Sequence, residues 1–265
     1  MKLALPLALA LGLSFGGAAL AADNSAALPI KHVQWSFGGP TGTYDRGALQ
    51  RGFKVYKEVC SACHSLNLVA LHDLAAPGGP GFTEAQAKAI AAGYKIPAEP
   101  NEKGEIFDAN GNRLKRPGIL ADHFPPPFPN EEAARAANSG ALPPDLSLIV
   151  KARVGGADYV YSLLTGFGHK PPKGFKVQDS KYYNTYFAGR NISMPPPLMA
   201  GSVSYPDGTK TSVAQEAHDA VTFLAWASEP KLEQRHRVGF QVMAFLMLLA
   251  GLLFLTYRKV WKDKH

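Results

Sequence analysis

The sequence predicts a mostly α-helical fold with long loops, followed by one transmembrane helix near the C-terminal end. Two observations favour helices: apolar residues recur at spacings of three and four along several segments, and runs that alternate as strands do are scarce. A third observation, an apolar run over residues 238–257, predicts the membrane helix. The 26 glycines and 21 prolines divide the rest of the chain into short helices joined by loops.

Residues 1–21 have the features of a secretory signal peptide. Lys2 gives a basic start, an apolar run follows, and Ala19-Leu20-Ala21 supplies the small residues for cleavage after Ala21. Glycines inside the short run disfavour the alternative of a retained membrane helix. The main domain, residues 22–230, is therefore expected in an oxidising compartment.

Residues 231–257 are predicted to form a linker and a membrane anchor. At a rise of about 1.5 Å per residue, the span 238–257 covers about 30 Å, the thickness of a hydrocarbon core. Only Gln241 in that span is strongly polar. The tail, residues 258–265, is basic, which favours the cytoplasm. We expect a single-pass protein of the bacterial inner membrane, with its main domain in the periplasm and its C-terminus in the cytoplasm.

The net charge of +7 does not indicate a nucleic-acid-binding surface. Seven basic and two acidic residues lie after residue 230 and one basic residue lies in the signal peptide, which leaves 20 basic and 19 acidic residues for the main domain. The basic excess belongs to the membrane flanks, so we expect the membrane and no nucleic acid as a partner. A local acidic group in the main domain is most often a solvated surface and less often docks a basic partner; it contains Glu99, Glu102, Glu105 and Asp108.

The main domain begins with an irregular segment, residues 29–44, which glycines interrupt. A helix is predicted to start after Asp45, a good N-cap, because three apolar residues follow at spacings of four and three. Gly52 lies on this helix, where its missing side chain would let another helix cross closely. The apolar face leads directly into Cys60.

The later elements follow from caps and turn residues. Thr83 and Gln86 have capping-box spacing at the start of a helix that ends at Ala92. Residues 96–129 are rich in Pro, Gly and charge, and Asn110-Gly111 predicts a tight turn, so this segment is predicted to be an insertion on the domain. Four further helices are predicted over residues 130–138, 146–154, 157–165 and 212–227.

The segment Cys60-Ser61-Ala62-Cys63-His64 is the strongest chemical signal in the chain. It contains the only two cysteines of the sequence, two residues apart, with a histidine directly after the second. This spacing is typical of covalent haem c attachment: two thiols reach the two vinyl groups, and the imidazole ligates the iron from below. The sequence therefore predicts one covalent haem c, with His64 as an axial ligand.

Two cysteines at this spacing have three other interpretations. A redox dithiol expects a thioredoxin-like strand-to-helix setting, which is absent from the flanking sequence. A zinc site needs two more ligands, and only scattered histidines remain. A structural disulfide is the third alternative, since an exported pair of free thiols tends to oxidise.

A six-coordinate haem iron needs a second axial ligand. Elimination reduces the number of methionines that could supply it. Met1 leaves with the signal peptide and two others lie in the membrane span, so Met194 and Met199 remain. Met194 precedes three prolines, whose restricted φ would hold the loop that presents its sulfur. His/Met ligation raises the reduction potential and leaves no open position, which favours electron transfer over catalysis. Met194 is the favoured ligand; the alternatives are Met199, His123, His169 and His218.

The main domain and anchor together resemble the cytochrome c1 family. The resemblance covers nearly the whole mature chain and is carried by Trp35-Ser36-Phe37, Arg51-Gly52 through His64, Ala133 to Ser147, Lys151-Ala152-Arg153, Asp158-Tyr159 through Gly166, Met194-Pro195 and Trp226 to Pro230. It implies a class I cytochrome c-like haem domain with long loop insertions and one membrane helix.

The resemblance also implies roles for individual residues. Met194 is then the sixth ligand, and Arg153 meets a haem propionate. Pro143 and Pro144 pack beside the ring, and Tyr159 lies near the haem. Some relatives carry a disulfide in this domain, for which this chain has no cysteine left.

The function that the resemblance implies is electron transfer within a quinol:cytochrome c oxidoreductase. The chain would take electrons from the Rieske iron–sulfur protein and pass them to a soluble or membrane-bound c-type cytochrome, beside a cytochrome b subunit that oxidises quinol. It would not be catalytic alone. Two alternatives are a stand-alone membrane-anchored electron shuttle and a haem enzyme or gas-binding protein with an open iron.

Overall fold

The computed structural model describes residues 29–263. The predicted signal peptide, residues 1–21, lies outside the described residues. Within the described part, the α-helices are α1 (Arg46–Glu58), α2 (Glu84–Ala92), α3 (Glu131–Ala137), α4 (Gly156–Leu164), α5 (Val213–Ser228) and α6 (Leu232–Trp261). The short strands form two antiparallel pairs, β1 (Lys95–Pro97) with β2 (Lys115–Pro117) and β3 (Tyr182–Tyr183) with β4 (Asn191–Ile192). The prediction of a mostly α fold with one apolar C-terminal helix is confirmed.

Helix α1 begins where its cap predicts. The side chain of Asp45 accepts a hydrogen bond from the backbone N–H of Ala48 at 2.9 Å, which satisfies one of the free N–H groups of the first turn. The buried face of α1 packs on α5, and the Phe53 and Tyr56 rings lie 5.8 and 5.7 Å from the ring of Phe223. This pair of helices forms the centre of the domain.

Helix α5 is buried on almost every side rather than along one stripe. Its residues from 216 to 228 are buried except for His218, which is half-buried, and the buried set includes the carboxylic side chains of Glu216 and Asp219. Ser212 caps it by accepting from the N–H of Gln215 at 3.1 Å, as its spacing predicts. A helix that is covered all round is a core element, so the other segments are arranged around α5.

The segment between α2 and α3 is built on the pair β1–β2. Thr83 and Gln86 exchange the two hydrogen bonds of a capping box at the start of α2, as predicted. The predicted turn at Asn110-Gly111 is confirmed, because Gly111 has a φ of +79° and its N–H donates to Asp108. Beyond β2, the carboxylate of Asp122 accepts two hydrogen bonds from the guanidinium of Arg116. These bonds join the chain that follows β2 to β2 itself.

The helix predicted over residues 146–154 is wrong. The structure has turns there, and α4 begins only at Gly156. The physical reason is competition from distant partners: the N–H of Leu146 donates to Ser65 at 2.9 Å, and the Ser147 hydroxyl accepts from the N–H of Leu68 at 3.0 Å. The segment is therefore fastened to the chain that follows the cysteine motif.

Helix α6 extends far beyond the packed domain. Leu232 at its start is buried in the main core, whereas the apolar side chains of the later turns are exposed. Among the described residues, α6 is the one helix whose length and apolar composition suit a membrane span. Its base is joined to the domain by two ion pairs: Glu233 of α6 pairs with Arg46 at 2.7 Å, and Arg235 of α6 pairs with Glu229 at the end of α5.

Candidate haem site

The two thiols lie in a tight turn at the end of α1. A single turn of 3₁₀ helix, Cys60–Ala62, follows α1, and the N–H groups of Cys63 and His64 both donate to the carbonyl of Cys60, at 3.1 and 2.9 Å. Both cysteines are free; Cys60 is half-buried beside the main core and Cys63 is exposed. The turn thus presents two thiols and one imidazole from five consecutive residues.

The surroundings of the thiols disfavour the alternatives to haem. Burial, together with the neighbouring Cys63, raises the pKa of the Cys60 thiol to about 12, whereas a redox-active dithiol needs a lowered pKa. A zinc site also lacks support, because no group of three or more His, Cys, Asp or Glu side chains able to hold a metal is found within residues 29–263. The structure holds no disulfide between Cys60 and Cys63.

His64 is held in the form that an iron ligand requires. Its Nδ1 lies 2.8 Å from the backbone carbonyl oxygen of Pro144. A carbonyl only accepts, so Nδ1 carries the proton and Nε2 keeps its lone pair for a metal. Burial lowers the pKa of His64 despite the opposing effects of Pro144 and Asp145, which favours the neutral imidazole. The residues present therefore fit a haem iron on the Nε2 side.

Asp145 fastens the loop that follows His64, and it is a positioning residue that the site predicted from the sequence does not contain. Its carboxylate accepts from the Ser65 hydroxyl and from the N–H of Asn67, both at 2.8 Å. The other carboxylate oxygen accepts from the N–H of Ser147 at 2.8 Å, an Asx turn directly after two prolines. An aspartate after Pro143-Pro144 is the signal that points to this turn in the sequence.

A shallow apolar pocket of about 380 Å³ borders the contact between His64 and Pro144. Several apolar side chains around it are exposed, among them Leu68 at 63% and Leu148 at 48%. An apolar surface left open at this place suits the face or edge of a large apolar group. The pocket is lined by Asn67, Leu68, Pro144, Asp145, Leu148, Ile149, Ala152 and Arg153.

Arg153 lies on the wall of that pocket, together with Pro144. Its guanidinium donates to the carbonyl of Ala152 at 3.2 Å, and no ion pair with a carboxylate involves it in the described part of the chain. Tyr159 is half-buried near Arg153: burial raises the pKa of the tyrosine, and the charge of Arg153 opposes that rise. The structure thus brings three of the predicted residues into one neighbourhood. Pro143, the residue before Pro144, is half-buried.

The candidates for the second axial ligand differ in exposure. Met194 is half-buried, whereas Met199 is 70% exposed. His123 and His169 are exposed, and His218 is stacked on Trp35 with its ring centroid 4.9 Å away, as a packed core histidine would be.

The Met194 loop and the cysteine motif are linked through α1. Leu198, four residues after Met194, packs in the same apolar group as Val55 of α1, five residues before Cys60. No hydrogen bond, ion pair or ring contact observed within residues 29–263 joins Met194 directly to His64.

Comparison with known proteins agrees with this site. The sequence profile of the Cytochrome C1 family matches residues 35–264. The chain belongs to the cytochrome c1 family. It is 44% identical to "Cytochrome c1" of Rhodospirillum rubrum, over 96% of this chain and 94% of that protein. It is 46% identical to "Cytochrome c1, heme protein, mitochondrial" of Kluyveromyces lactis, over 87% of this chain and 73% of the relative.

A further cytochrome c1 relative is longer than this chain. The chain is 50% identical to "Cytochrome b/c1" of Bradyrhizobium diazoefficiens over 88% of its own length, but it spans only 35% of that protein.

Membership of the cytochrome c1 family settles the class of function. The chain is a haem-bearing electron-transfer subunit of the cytochrome bc1 complex, and it carries one covalent haem c. It is anchored to a membrane through α6. An enzyme with an open iron and a stand-alone shuttle are not favoured. The individual roles of Met194, Arg153 and Tyr159 stay predictions.

Proposed function

We propose that this chain binds its haem covalently through Cys60 and Cys63, ligates the iron with His64 and Met194, and relays single electrons from a Rieske iron–sulfur protein to a c-type cytochrome. The hydrogen bond from His64 Nδ1–H to the Pro144 carbonyl at 2.8 Å is the observation that carries the proposal. The haem, when bound, supplies an iron that changes between two oxidation states without a bound substrate.

The segment after the cysteines holds the imidazole still. His64 is fixed by the Pro144 carbonyl, and the same loop is anchored on both sides by Asp145 and Ser147. A ligand held in one tautomer and one orientation keeps its donor strength constant. Fast electron transfer requires a small reorganisation energy. A ligand that keeps its position in both oxidation states of the iron keeps that energy small.

Arg153 is proposed to pair with a haem propionate. It is an exposed cation on the wall of an apolar pocket, without a carboxylate partner in the part of the chain described here. Arg and carboxylate form charge-assisted hydrogen bonds, which would fix the edge of the haem. Pro143 and Pro144 are proposed to contact the ring, and Tyr159 to lie beside Arg153.

Met194 is proposed as the sixth ligand. It is half-buried in a loop stiffened by three prolines, and the exposed Met199 is a poorer candidate because solvent would compete with its sulfur. Two protein ligands, His64 and Met194, would leave no open position on the iron. This arrangement favours electron transfer and disfavours oxygen or substrate binding.

The membrane arrangement follows from α6 and its flanks. We propose a signal peptide over residues 1–21, a haem domain over 22–230 in the periplasm, a linker and anchor over 231–257 with the span at 238–257, and a cytoplasmic tail at 258–265. The basic residues after the span support this orientation. A cytochrome b subunit is proposed to pack beside α6, whose apolar side chains from Val238 onward are not covered by the other residues of the described range 29–263.

The test is purification of the tagged chain from membranes in a mild detergent. We expect a b-type haem spectrum and an iron–sulfur signal to co-elute with the chain, and the preparation to reduce added cytochrome c with quinol. A matched preparation of the Cys60→Ser, Cys63→Ser variant should lack covalent haem staining and this activity. Elution of the chain alone, with its own haem spectrum intact, would favour a stand-alone shuttle. Carbon monoxide binding by the reduced wild-type chain would favour an open iron.

A further inference from the structure

One guanidinium joins three separate parts of the haem domain. Arg51 lies on α1, nine residues before Cys60; its Nε and Nη2 donate to the carboxylate of Asp219 on α5 at 2.9 and 3.2 Å. Its Nη1 donates to Asp207, in the loop before α5, at 2.8 Å. A planar guanidinium that makes a two-point contact with one carboxylate and a third contact with another holds both in a fixed geometry.

The ion pair of Arg51 with Asp219 is buried, and its ion pair with Asp207 is not. The Asp219 side chain is fully buried and that of Arg51 is 17% exposed, whereas Asp207 is 44% exposed. Burial alone would raise the pKa of Asp219, but hydrogen bonds that include those from Arg51 and Gln215 outweigh it and leave that pKa lowered. Asp219 is therefore a charged partner of Arg51 inside the core, and Asp207 extends the pair to the surface loop.

An apolar group holds the same loop against the same two helices. Leu198, Val203 and Tyr205 are buried together with Val55 of α1 and two alanines of α5. The guanidinium of Arg51 also lies over the Tyr205 ring, 5.8 Å from its centroid. Residues 198–207 are thus held both by apolar packing and by the ion pair between Arg51 and Asp207.

This loop continues directly from Met194. Only Pro195, Pro196 and Pro197 separate Met194 from the buried Leu198, and a run of prolines transmits a displacement instead of absorbing it. Ser202 adds a further tie, because its hydroxyl donates to the fully buried Glu216 at 2.9 Å. A shift of residues 198–207 would therefore move the Met194 sulfur.

We propose that Arg51 is a positioning residue for the Met194 ligand, and that its contact with Asp207 keeps the methionine loop in register with the helix that carries the cysteine motif. This inference rests on the ligation by Met194 proposed above. Because Arg51 belongs to the histidine side of the site and Asp207 to the methionine side, the pair sets the separation between the two ligating segments. Weakening it should favour a loop conformation in which Met194 is dissociated.

The test compares Asp207→Asn with wild type in the full-length haem-loaded chain. Asn keeps an acceptor for the N–H of Thr209, which Asp207 binds at 3.0 Å, but loses the charge that faces Arg51. A partly exposed charged hydrogen bond of this kind changes an equilibrium by roughly fivefold. We expect carbon monoxide to bind the reduced variant roughly fivefold faster, the sulfur-to-iron absorption band to disappear at a lower pH on alkaline titration, and the reduction potential to fall.

Two controls make the outcome decisive. Lys54→Gln breaks the exposed ion pair with Glu58 on the same helix and should change none of these properties. Met194→Leu reports on the ligand itself. If Met194→Leu removes the sulfur band but Asp207→Asn leaves the band, its alkaline midpoint and carbon monoxide binding as in wild type, the positioning role is wrong although the ligand is right. If Met194→Leu leaves the band unchanged, the ligand assignment fails instead. Arg51→Gln is unsuited as the main test, since it removes the positive charge that faces the buried Asp219 and so destabilises the fold itself.

Discussion

Gly52 of α1 lies directly against the backbone carbonyl of Asp219 on α5, so that a β-carbon at Gly52 would come within 2.0 Å of that oxygen. The same β-carbon would also lie 2.8 Å from the Cβ of Phe223. The two helices thus cross at a glycine, and the position of Cys60, eight residues further on, depends on how closely they approach.

Gly52→Ala should consequently destabilise the domain and reduce the amount of haem-loaded chain. Overpacking in a core costs about 1–3 kcal/mol, and the upper end is expected here because the opposing atom belongs to a backbone that cannot rotate away. The measurement is urea unfolding of the purified chain in detergent, together with haem staining of membranes, where we expect a several-fold loss.

Gly47→Ala is the matched control on the same helix. Its β-carbon would lie 3.2 Å from side-chain atoms of Arg51 and Asp45, so that a shift of a few tenths of an ångström relieves the contact, and it would meet no backbone atom of α5. Alanine is a better helix former than glycine by up to about 1 kcal/mol, so stability should be unchanged or slightly raised. Equal effects of the two substitutions would show that the close crossing is not the cause.

Local patterns predicted most of the helices, because their signals lie within a few residues of each other. The cap at Asp45, the capping box at Thr83 and the cap at Ser212 each involve hydrogen bonds over three residues, and all three are present. The helix prediction over residues 146–154 failed for the opposite reason: the N–H of Leu146 and the hydroxyl of Ser147 bond to partners about 80 residues away. Spacing within a window carries no information on such partners.

The same distinction applies to the candidate site. The thiols and imidazole are adjacent in sequence, so their chemistry was evident from Cys60 to His64. The contact of His64 with Pro144 spans 80 residues and that of Arg51 with Asp219 spans 168. The family resemblance placed Pro144 beside the haem ring, but only the structure shows that its carbonyl accepts from the imidazole.

The first turn of α6 packs against the haem domain. The position at which the chain is truncated therefore determines whether these contacts are kept. Leu232 is buried in the main core, and Glu233 accepts from the N–H of Tyr44 at 2.9 Å. A chain that ends after Arg237 should be released from the membrane with an unaltered visible spectrum. A chain that ends after Pro230 should be less stable by about 1.5–3 kcal/mol, the value of burying one leucine.

Fractionation of salt-washed membranes and thermal unfolding of the released protein check both expectations. If the chain ending after Arg237 stays with the membranes, a second membrane attachment exists. Equal melting temperatures of the two shortened chains would mean that the contacts of Leu232 and Glu233 add nothing.

Asp122 predicts a pH dependence of stability. Hydrogen bonds from Arg116, at 2.6 and 2.8 Å, and from the N–H of Ile119 outweigh the effect of burial and lower its pKa to about 2. The unfolded chain has an aspartate pKa of about 3.9, so the folded state favours the charged form. The stabilisation is fully present above that value and is lost as the pH falls towards 2.

Asp122→Asn isolates this contribution. The difference in unfolding free energy between wild type and the variant should be constant above about pH 5 and should shrink at lower pH. Urea unfolding at a series of pH values gives that difference directly. A difference that stays constant from pH 6 down to pH 3 would exclude the charged pair with Arg116 as its source.

Met194→Leu tests the sixth ligand at a single atom. Thioether sulfur is a weak, soft ligand that favours reduced iron, and leucine keeps the bulk and apolar character of methionine without a lone pair. We expect covalent haem and most of the fold to remain, because the buried contacts of this loop are made by Leu198 and Val203. The oxidised protein should lose its weak long-wavelength sulfur-to-iron band, and the reduced protein should bind carbon monoxide. The reduction potential should fall by on the order of 0.1 V, within the about 0.8 V range that axial ligands set.

Electron delivery from a high-potential iron–sulfur partner to the Met194→Leu variant would then be uphill, so quinol-driven reduction of cytochrome c should collapse. Met199→Leu, at a side chain that is 70% exposed, should change none of these properties. The opposite pattern, with the band lost only in Met199→Leu, would transfer the ligand role to Met199 and leave the haem assignment in place.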